Sequence, residues 1–526
     1  MRSLISMRSL ISHSVWTLGL AAVVFAAPQT YGTSTSPAVK TTKCNGQRYV
    51  YEELAGYGFL PSNGRDKAGD TLGGIGSSAA IDPSTWRKDG DSYKGILWAL
   101  PDRGWNTNGT LNYQNRVHKI EITLTPKPDA TVDEPAAPNL QMKYLDSVFF
   151  TDPSGEPTTG LDSNIKGPYK RFQGYPFGLP SARYEGNGFG QDGPGGFRVS
   201  LDSEGLFLGH DGTFYVSEEY GDHVYHFDKT GKMIGAIRPP PAFIPRRNGT
   251  VSFSANSPPI YDPDLEPVPA DPQTGRNNNQ GLEGLTTNPA GTKLYALTQS
   301  ALNQDGGLDG VERNARLIVY DISVKPPKYE AEYVVPLALI DPSDENSAVA
   351  RQSEIHYISD TQFLVLGRDS DAGAGQDDTQ SKYRHVDIFD ISKATNIKGK
   401  AADCAACSIA NEKGVLNTDI APAVYCSWVD FNINSQLGRF GVHNGGAQDE
   451  GLLNEKWESL ALAPVNPGKN DGEYFLFSLS DNDFITQDGA VNGGKLKYAD
   501  ESGFNLLSQA LVFKVRLPKG SEPLVS

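Results

Sequence analysis

One stretch, residues 201–239, constrains the fold more than any other part of the sequence. It reads LDSEGLFLGHDGTFYVSEEYGDHVYHFDKTGKMIGAIRP, in which short apolar or alternating runs are separated by polar turns that contain glycine. Runs of this length and period are typical of β-strands, and the turns are short enough for hairpins. The stretch therefore predicts one antiparallel sheet of four strands, which opens at Glu204 and Gly205.

Weaker copies of this unit recur along the chain. Further strands are predicted at residues 48–52, 95–100, 116–122, 144–150, 293–298, 316–321, 332–337, 362–367, 385–390, 425–431, 474–478 and 510–515. Small repeated sheets cannot bury their faces alone, so they close into a ring. We predict an all-β protein, a β-propeller of about five to six four-stranded antiparallel blades with long inter-blade loops. A sixth blade would lie in the irregular segments, unless the N-terminal strand completes the last blade; the alternative fold is a pair of β-sandwiches.

The composition agrees with many turns and an acidic surface. The 526 residues include 56 glycines and 35 prolines. Residues 151–198 lack periodicity and are too long for an idle connection, so they form a cover over a site or an insertion. The 47 basic and 63 acidic residues give a net charge of −16, which favours neither nucleic acid nor an anionic membrane and suits a protein that holds cations. We expect a monomer.

The N-terminus is typical of an export signal. Residues 1–12 are a doubled hexapeptide, so Met7 is an alternative start. Arg2 and Arg8 precede an apolar run at 15–25, and small residues follow it. A membrane anchor is the alternative, but the run is short and a polar segment comes next. We predict a signal peptide at 1–27, a disordered linker at 28–43, a propeller domain at 44–520, and secretion to the extracellular space.

The cysteines that remain after signal removal are Cys44, Cys404, Cys407 and Cys426. An even number in an exported chain predicts two disulfides, for which three connectivities exist. Cys404 and Cys407 have the spacing of a redox motif, but no βαβ pattern surrounds them, so a structural role is expected. Two Asn-Gly-Thr sequons in turn-rich segments predict glycosylation at Asn108 and Asn248.

A carboxylate opens the first strand in four of the repeated units, at Glu204, Glu283, Glu354 and Glu458. The first strands of a propeller line its axis, so equivalent positions point toward one another. Converging carboxylates repel, and they need a cation or partner arginines to remain ionised. Oxygen ligands suit Ca²⁺ first and Mg²⁺ second, and we predict metal ligation by Glu204, Glu283 and Glu458. In the alternative, each glutamate braces its own blade by accepting backbone hydrogen bonds.

A second charged set lies at the ends of the next strands: Asp102-Arg103, Glu218-Glu219, Arg368-Asp369 and Asp481-Asn-Asp483. Strand ends at a face of the ring are the usual position of functional loop residues. We predict that Arg103 and Arg368 bind a phosphate or carboxylate group, and that Asp102, Glu219 and Asp483 bind metal or activate water. The alternative for a pair such as Asp102 and Arg103 is a surface or inter-blade ion pair.

Several strings, taken as a set, carry a resemblance to a known family: GGIGS, LPDRG, DSEGL, FYVSEEYG, NQGLEGL, NPAGTKLYALTQ, FLVLGRDSD, WESLAL and SLSDNDF. Over residues 49–517 the chain resembles the secreted phytase-like (esterase-like activity of phytase) domain. The resemblance implies a propeller and a hydrolase of phosphate or carboxylic esters.

Residues and resemblance together predict a secreted metal-dependent hydrolase of phosphate esters, whose acidic axial site holds Ca²⁺ and a small anionic ester substrate. The sequence lacks a Gly-x-Ser-x-Gly nucleophile elbow, which argues against an α/β-hydrolase esterase. Two alternatives remain: a calcium-dependent lactonase or carboxylesterase, and a non-catalytic extracellular binding scaffold whose carboxylates hold the blades together.

Overall fold

The computed structural model describes residues 37–308, 312–344 and 347–524. Its regular structure is five antiparallel sheets of four or five strands, with three two-stranded hairpins. The first strands of the large sheets contact one another around a common axis. The predicted all-β propeller is therefore confirmed, with five blades in the described ranges. The predicted signal peptide at 1–27 and the first part of the linker, 28–36, lie outside the described residues.

The strands follow the chain blade by blade. The described chain enters through β1 (Lys40–Cys44) and β2 (Gln47–Leu60). Blade 1 consists of β3 (Ser78–Ile81), β4 (Arg87–Asp89), β5 (Ser92–Leu100), β6 (Arg116–Leu124) and β7 (Leu140–Phe149). A hairpin follows, β8 (Ser181–Tyr184) and β9 (Gly196–Val199). Blade 2 consists of β10 (Ser203–Leu208), β11 (Phe214–Glu218), β12 (Val224–Phe227) and β13 (Met233–Ile237).

A second hairpin, β14 (Arg246–Arg247) and β15 (Thr250–Val251), precedes blade 3. Blade 3 consists of β16 (Leu282–Thr287), β17 (Lys293–Thr298), β18 (Asn314–Asp321) and β19 (Lys328–Pro336). Blade 4 consists of β20 (Arg351–Tyr357), β21 (Gln362–Arg368), β22 (Arg384–Asp390) and β23 (Val424–Asp430). The last strands are β24 (Ala461–Pro464), β25 (Glu473–Leu479), β26 (Gly489–Val491), β27 (Leu496–Tyr498) and β28 (Ser508–Arg516).

Helical structure is confined to short segments of the described chain. They are α1 (Lys400–Asp403), α2 (Asn434–Leu437) and 3₁₀ turns at Asn303–Asp305 and Gly438–Phe440. None of the helices in the described ranges has the length and apolar character that a membrane-spanning helix needs.

The hydrophobic core lies between neighbouring blades. Trp98 of blade 1 meets Phe214 of blade 2 with ring centroids 5.1 Å apart. Trp86 of blade 1 meets Phe477 of β25 with ring centroids 5.7 Å apart. The main apolar clusters each join two adjacent blades, so that every sheet buries both of its faces only within the ring.

Blade 5 joins the two ends of the described chain. Its strand order is β24–β25–β28–β2–β1, and β2 pairs with β28 from Val50 opposite Arg516 to Leu60 opposite Ser508. The N-terminal strand thus completes the last blade, one of the two arrangements expected from the sequence. The ring is closed by a ladder of backbone hydrogen bonds rather than by a loop.

The disulfides are Cys44–Cys426 and Cys404–Cys407. The first links β1 in blade 5 to β23 in blade 4, and the second lies within one loop. This pairing selects one of the three connectivities. The predicted disordered linker at 28–43 is wrong at its C-terminal end, because residues 40–43 belong to β1. Pairing with β2 and the disulfide at the adjacent Cys44 order the backbone there.

The long loop predicted at 151–198 is an insertion with one short hairpin, β8–β9. Gly160 packs so closely against the backbone carbonyl of Arg103 that no side chain would fit between them. The hydroxyl of Tyr220 donates to the carbonyl of Gly160 over 2.8 Å. The insertion therefore fixes the segment that carries Arg103.

We expect the inter-blade disulfide to stabilise the protein more than the local one. It closes a sequence separation of 382 residues against 3, and the entropy that a cross-link removes from the unfolded chain grows with loop length. The double variant Cys44→Ser/Cys426→Ser should lose about 2–5 kcal/mol of unfolding free energy, seen as a lower Tm under non-oxidising conditions. The matched variant Cys404→Ser/Cys407→Ser should lose less, and equal losses would contradict the argument.

Candidate functional site

An acidic cavity of about 250 Å³ lies where the inner strands begin. Its lining includes eight carboxylates, Asp102, Asp202, Glu204, Glu219, Glu283, Glu455, Glu458 and Asp481. It also includes four basic side chains, Arg103, Arg351, Arg368 and Lys456. Seven of the eight carboxylate residues are buried. When all groups are ionised, the lining carries four more negative charges than positive ones.

The propeller topology explains why these residues meet. Glu204 and Glu283 stand at the starts of the inner strands β10 and β16. The second strand of each blade runs antiparallel to the first, so its end lies at the same face. Arg103 therefore follows β5, Glu219 follows β11, and Arg368 ends β21, all beside the cavity. The structure brings most of the two predicted sets together around this cavity, the acidic mouth, with Asp483 beside the lining residues Asp102 and Asp481. The exceptions are Glu354, Glu218, which binds the backbone of Gly221 and His223, and Asp369, which binds the segment 381–383.

Glycine follows the first two mouth glutamates because neighbouring inner strands approach closely there. A Cβ at Gly205 would lie 2.6 Å from the carbonyl oxygen of Glu283. A Cβ at Gly284 would lie 3.0 Å from the amide nitrogen of Ile355. The Glu-Gly string is thus a consequence of packing at the axis. The glutamate side chain lines the cavity, and the absence of a side chain on the glycine lets the inner strand of the next blade pack against it.

Glu354, predicted to join the mouth, lies one residue farther along its strand. In blade 3 the bulged residue of the inner strand is Glu283, whereas in blade 4 it is Ser353. Glu354 therefore occupies the position of Gly284. A one-residue offset on a strand turns a side chain to the other side, so Glu354 lies away from the acidic cavity.

Glu354 braces three blades across the axis. Its carboxylate accepts hydrogen bonds from the Ser78 hydroxyl of blade 1, from the Leu285 N–H of blade 3 (3.0 Å) and from the Ile355 N–H of blade 4 (2.8 Å). Burial raises the pKa of Glu354 to about 8. For this residue the bracing alternative is the one that the structure bears out.

The first carboxylate cluster at the mouth comprises Asp202, Glu204 and Glu219. One carboxylate oxygen of each lies within 4.8 Å of the others. Glu219 accepts a hydrogen bond from the N–H of Gly281 over 2.7 Å. Asp202 Oδ1 and Glu283 Oε2 are buried and accept none from the described protein. This half of the cavity therefore holds oxygen atoms with unused acceptor capacity.

The second carboxylate cluster comprises Asp102, Asp481 and Asp483, again with one oxygen of each within 4.8 Å of the others. Lys456 pairs with Asp483 over 2.7 Å, so this half already contains a cation. Asp102 accepts hydrogen bonds from the N–H of Gly104 (2.9 Å) and from the side-chain amide of Asn106 (2.7 Å). Each cluster thus has one carboxylate paired with a basic side chain, Asp202 with Arg103 in the first and Asp483 with Lys456 in the second.

The two predicted substrate-binding arginines lie on either side of these clusters. Arg103 pairs with Asp202 over 2.7 Å, and Arg368 pairs with Glu458. Both side chains are buried, and Nε of each makes no hydrogen bond to the described protein. Glu458, predicted as a metal ligand, is thus held by an arginine in this structure.

Burial and mutual repulsion raise the pKa values of the mouth carboxyls. The pKa of Asp102 and that of Asp202 are each raised to about 7, by burial first and then by neighbouring carboxylates. Burial raises the pKa of Glu204 and of Glu283 well above the usual range, and nearby glutamates add to the effect. For Lys456, Asp483 and other acids outweigh the opposing effect of burial and raise the pKa of the ammonium group. Such a site favours bound protons or cations.

Four charged lining residues were missed in the sequence: Asp202, Arg351, Glu455 and Lys456. Asp202, Arg351 and Lys456 stand two positions before Glu204, Ser353 and Glu458, respectively. Residues two apart on a strand share a face, so this spacing is the signal that would have found these three. The predicted glycosylation residues, Asn108 and Asn248, are exposed in turns, and their modification stays a prediction.

Fold and site define a five-bladed propeller with an acidic, arginine-bearing axial cavity. The chain belongs to the phytase-like family, described as esterase-like activity of phytase, whose match spans residues 84–484. An uncharacterized secreted protein of Arthroderma benhamiae is 54% identical over 479 residues, which cover 89% of this chain and 93% of that protein. The resemblance inferred from the sequence strings is therefore confirmed.

Solved structures resemble the chain only remotely. A luciferin-regenerating enzyme is 10% identical, with 86% of this chain and 95% of that chain covered and a TM-score of 0.24. A putative gluconolactonase is 9% identical, with 90% and 97% covered and a TM-score of 0.25. At such scores the likeness bears on neither fold nor activity.

The raised pKa values of Asp102 and Asp202 predict how stability depends on pH when metal is removed by a chelator. Between about pH 4 and 7 the folded protein retains protons that the unfolded chain has released. The free energy of unfolding should therefore fall as pH rises through this range, in denaturant titrations of chelated protein. Asp202→Asn should reduce the slope, whereas the exposed control Asp192→Asn should not. A wild-type slope equal to that of Asp202→Asn would contradict the assignment.

Proposed function

We propose that the protein is a secreted, calcium-dependent hydrolase of phosphate esters. The observation that carries this proposal is an excess of buried carboxylates at a cavity that also holds two buried arginines. Carboxylates supply oxygen donors for a divalent cation, and guanidinium groups supply donors for an anionic substrate. Membership in the phytase-like family is consistent with ester hydrolysis.

Asp202, Glu204, Glu219 and Glu283 are the residues that would hold the cation. The first three already place their oxygens close together, and the unpartnered oxygens of Asp202 and Glu283 supply acceptor capacity that the protein leaves unused. Carboxylate oxygen donors fit Ca²⁺ best and Mg²⁺ second. A bound cation would supply Lewis-acid stabilisation of the charge that develops on a phosphoryl group.

Arg103 and Arg368 are suited to bind the substrate anion. One guanidinium nitrogen of Arg103 pairs with Asp202, and one of Arg368 pairs with Glu458. In both arginines Nε is buried and has no acceptor among the described residues. Those carboxylates fix the orientation of the guanidinium groups toward the cavity. A volume of about 250 Å³ suits a phosphoryl group and a small part of its alcohol. A small-molecule phosphate ester is therefore the proposed substrate class.

Asp102 and Asp483 are the proposed groups for activating water. Asp102 is held in place by Gly104 and Asn106, and Asp483 is held by Lys456. Both belong to the second cluster, of which Asp102 and Asp481 line the same cavity as the proposed cation-binding residues, so a substrate in this cavity would have a proton acceptor beside it.

Secretion is part of the proposal. The Arg-containing, apolar start of the sequence and the sequons support it, and the 54% identical relative is named as a secreted protein. A monomer that acts on small molecules would follow from an active site built within a single ring.

The reaction class can be tested with p-nitrophenyl phosphate, p-nitrophenyl acetate and a simple lactone. We expect hydrolysis of the phosphate ester that a chelator abolishes and added Ca²⁺ restores, because the cation and the arginines act together on an anion. Chelator-sensitive hydrolysis of only the uncharged esters would instead identify a lactonase or carboxylesterase. If the calcium-bound protein hydrolyses none of the probes, the hydrolase proposal is wrong and the non-catalytic binding scaffold is the remaining alternative.

Residue roles can be tested with matched substitutions. Glu204→Gln should lower kcat/KM for the phosphate ester about 100-fold, since it removes charge from the cation-binding cluster. Arg368→Lys should raise KM, because lysine cannot provide the planar donors of arginine. The exposed control Glu501→Gln should leave both values unchanged. Wild-type kinetics in Glu204→Gln would refute the proposed site.

A further inference from the structure

A second, larger cavity of about 700 Å³ lies at the opposite end of the axis. The inner strands that begin at the acidic mouth end here, and all five blades contribute to the lining. Glu354, whose carboxylate crosses the axis to blades 1 and 3, stands at the inner end of this cavity. The two cavities are therefore separate sites on one axis.

The walls of the second cavity are mainly apolar. They include Ala80, Trp98, Leu206, Phe214, Leu285 and Leu460. Neither lysine nor arginine is among the described lining residues, in contrast to the acidic mouth. The lining also includes two aspartates, of which Asp82 is half-buried and Asp211 is exposed, so neither places a carboxylate in the buried part. A wall of this kind favours an uncharged ligand with an apolar body, since burying an unpaired charge costs far more than apolar contact returns.

The buried titratable side chains in this lining are Glu354 and His356, and they differ in one respect. The carboxylate of Glu354 already accepts hydrogen bonds from Ser78, Leu285 and Ile355. The imidazole of His356 is 7% exposed, and its Nε2 makes no hydrogen bond to the described protein. A buried polar atom without a partner is costly unless a ligand or water satisfies it.

We propose that this cavity binds a small, uncharged aromatic molecule that carries a hydroxyl group. The ring would lie against the apolar wall that includes Trp98 and Phe214, whose own rings meet edge to face at 5.1 Å. The hydroxyl would hydrogen-bond to the imidazole of His356. Burial lowers the pKa of His356 to about 4, so the imidazole is neutral and suits a neutral partner near pH 7.

Calorimetric titration of the full-length protein with p-cresol, toluene and p-toluate tests this proposal. These probes share one ring and one methyl group, and they differ in carrying a hydroxyl, no polar group or a charge. We expect saturable binding of p-cresol, weaker binding of toluene, and p-toluate weaker than p-cresol by at least about tenfold. Binding of p-toluate as tight as that of p-cresol, or non-saturable p-cresol binding, would overturn the proposal.

Two variants on different walls locate the site. His356→Phe should weaken p-cresol about tenfold and leave toluene unchanged, because it removes one buried hydrogen bond. Ala80→Phe, on the half-buried wall of blade 1, should weaken both probes by filling the cavity. His443→Phe, a surface control, should alter neither. Unchanged p-cresol affinity in the first two would overturn the proposal.

Thermal unfolding of each variant shows whether it is folded, and Nε2 of His356 has no hydrogen bond to the described residues that the substitution would remove. If His356→Phe fails to fold, His356→Gln replaces it in the same titration. The proposal is independent of the acidic site. Loss of p-cresol binding without loss of phosphate-ester hydrolysis is therefore the expected pattern, and loss of both together would argue for a single coupled site instead.

Discussion

The pairing of β2 with β28 is the interaction on which the rest of the structure depends. It unites the two ends of the described chain in blade 5, and only a closed ring holds five inner strands around one axis. The inter-blade apolar clusters follow from that closure, since each needs a blade on both sides. The disulfide between Cys44 and Cys426 links the outer edge of blade 5 to blade 4. Both axial cavities exist because this ladder brings the starts and ends of the inner strands together.

Closure also creates an electrostatic problem at one end of the axis. Eight carboxylates share a small buried space with four basic groups, and protein hydrogen bonds satisfy only part of them. Arginine and lysine offset the charge at Asp202, Glu458 and Asp483, while Glu204, Glu219 and Glu283 form no ion pair within the described chain and retain an excess of negative charge. A bound cation would offset this excess of negative charge without moving the side chains far, because the oxygens of Glu204 and Glu219 already lie close together. The opposite end is free of this problem because Glu354, the one buried carboxyl group among its described lining residues, accepts hydrogen bonds from the Ser78 hydroxyl and from the backbone N–H groups of Leu285 and Ile355.

Much of the fold was accessible from the sequence because strand period and turn chemistry are local. Strands such as Val224–Phe227, Met233–Ile237 and Lys293–Thr298 lie where the pattern predicts them. The blade count and the disulfide pairing were not accessible, because they depend on contacts between distant parts of the chain. Likewise, the mouth was predictable from repeated glutamates, but the bulge that puts Ser353 in place of a glutamate is a register effect. Such an effect becomes visible only when the strands are paired.

The central claim, that the acidic mouth is a cation site, is tested most directly by elemental analysis of the purified mature protein together with its Glu204→Gln variant. The account predicts about one or two calcium ions per wild-type chain, of which one would offset half of the excess of four carboxylates and two would offset all of it. It predicts a lower content in the variant, with the fold retained. Wild-type protein that contains no divalent metal, and binds none when calcium is supplied after chelation, would contradict the account. The mouth carboxylates would then be structural groups that retain protons.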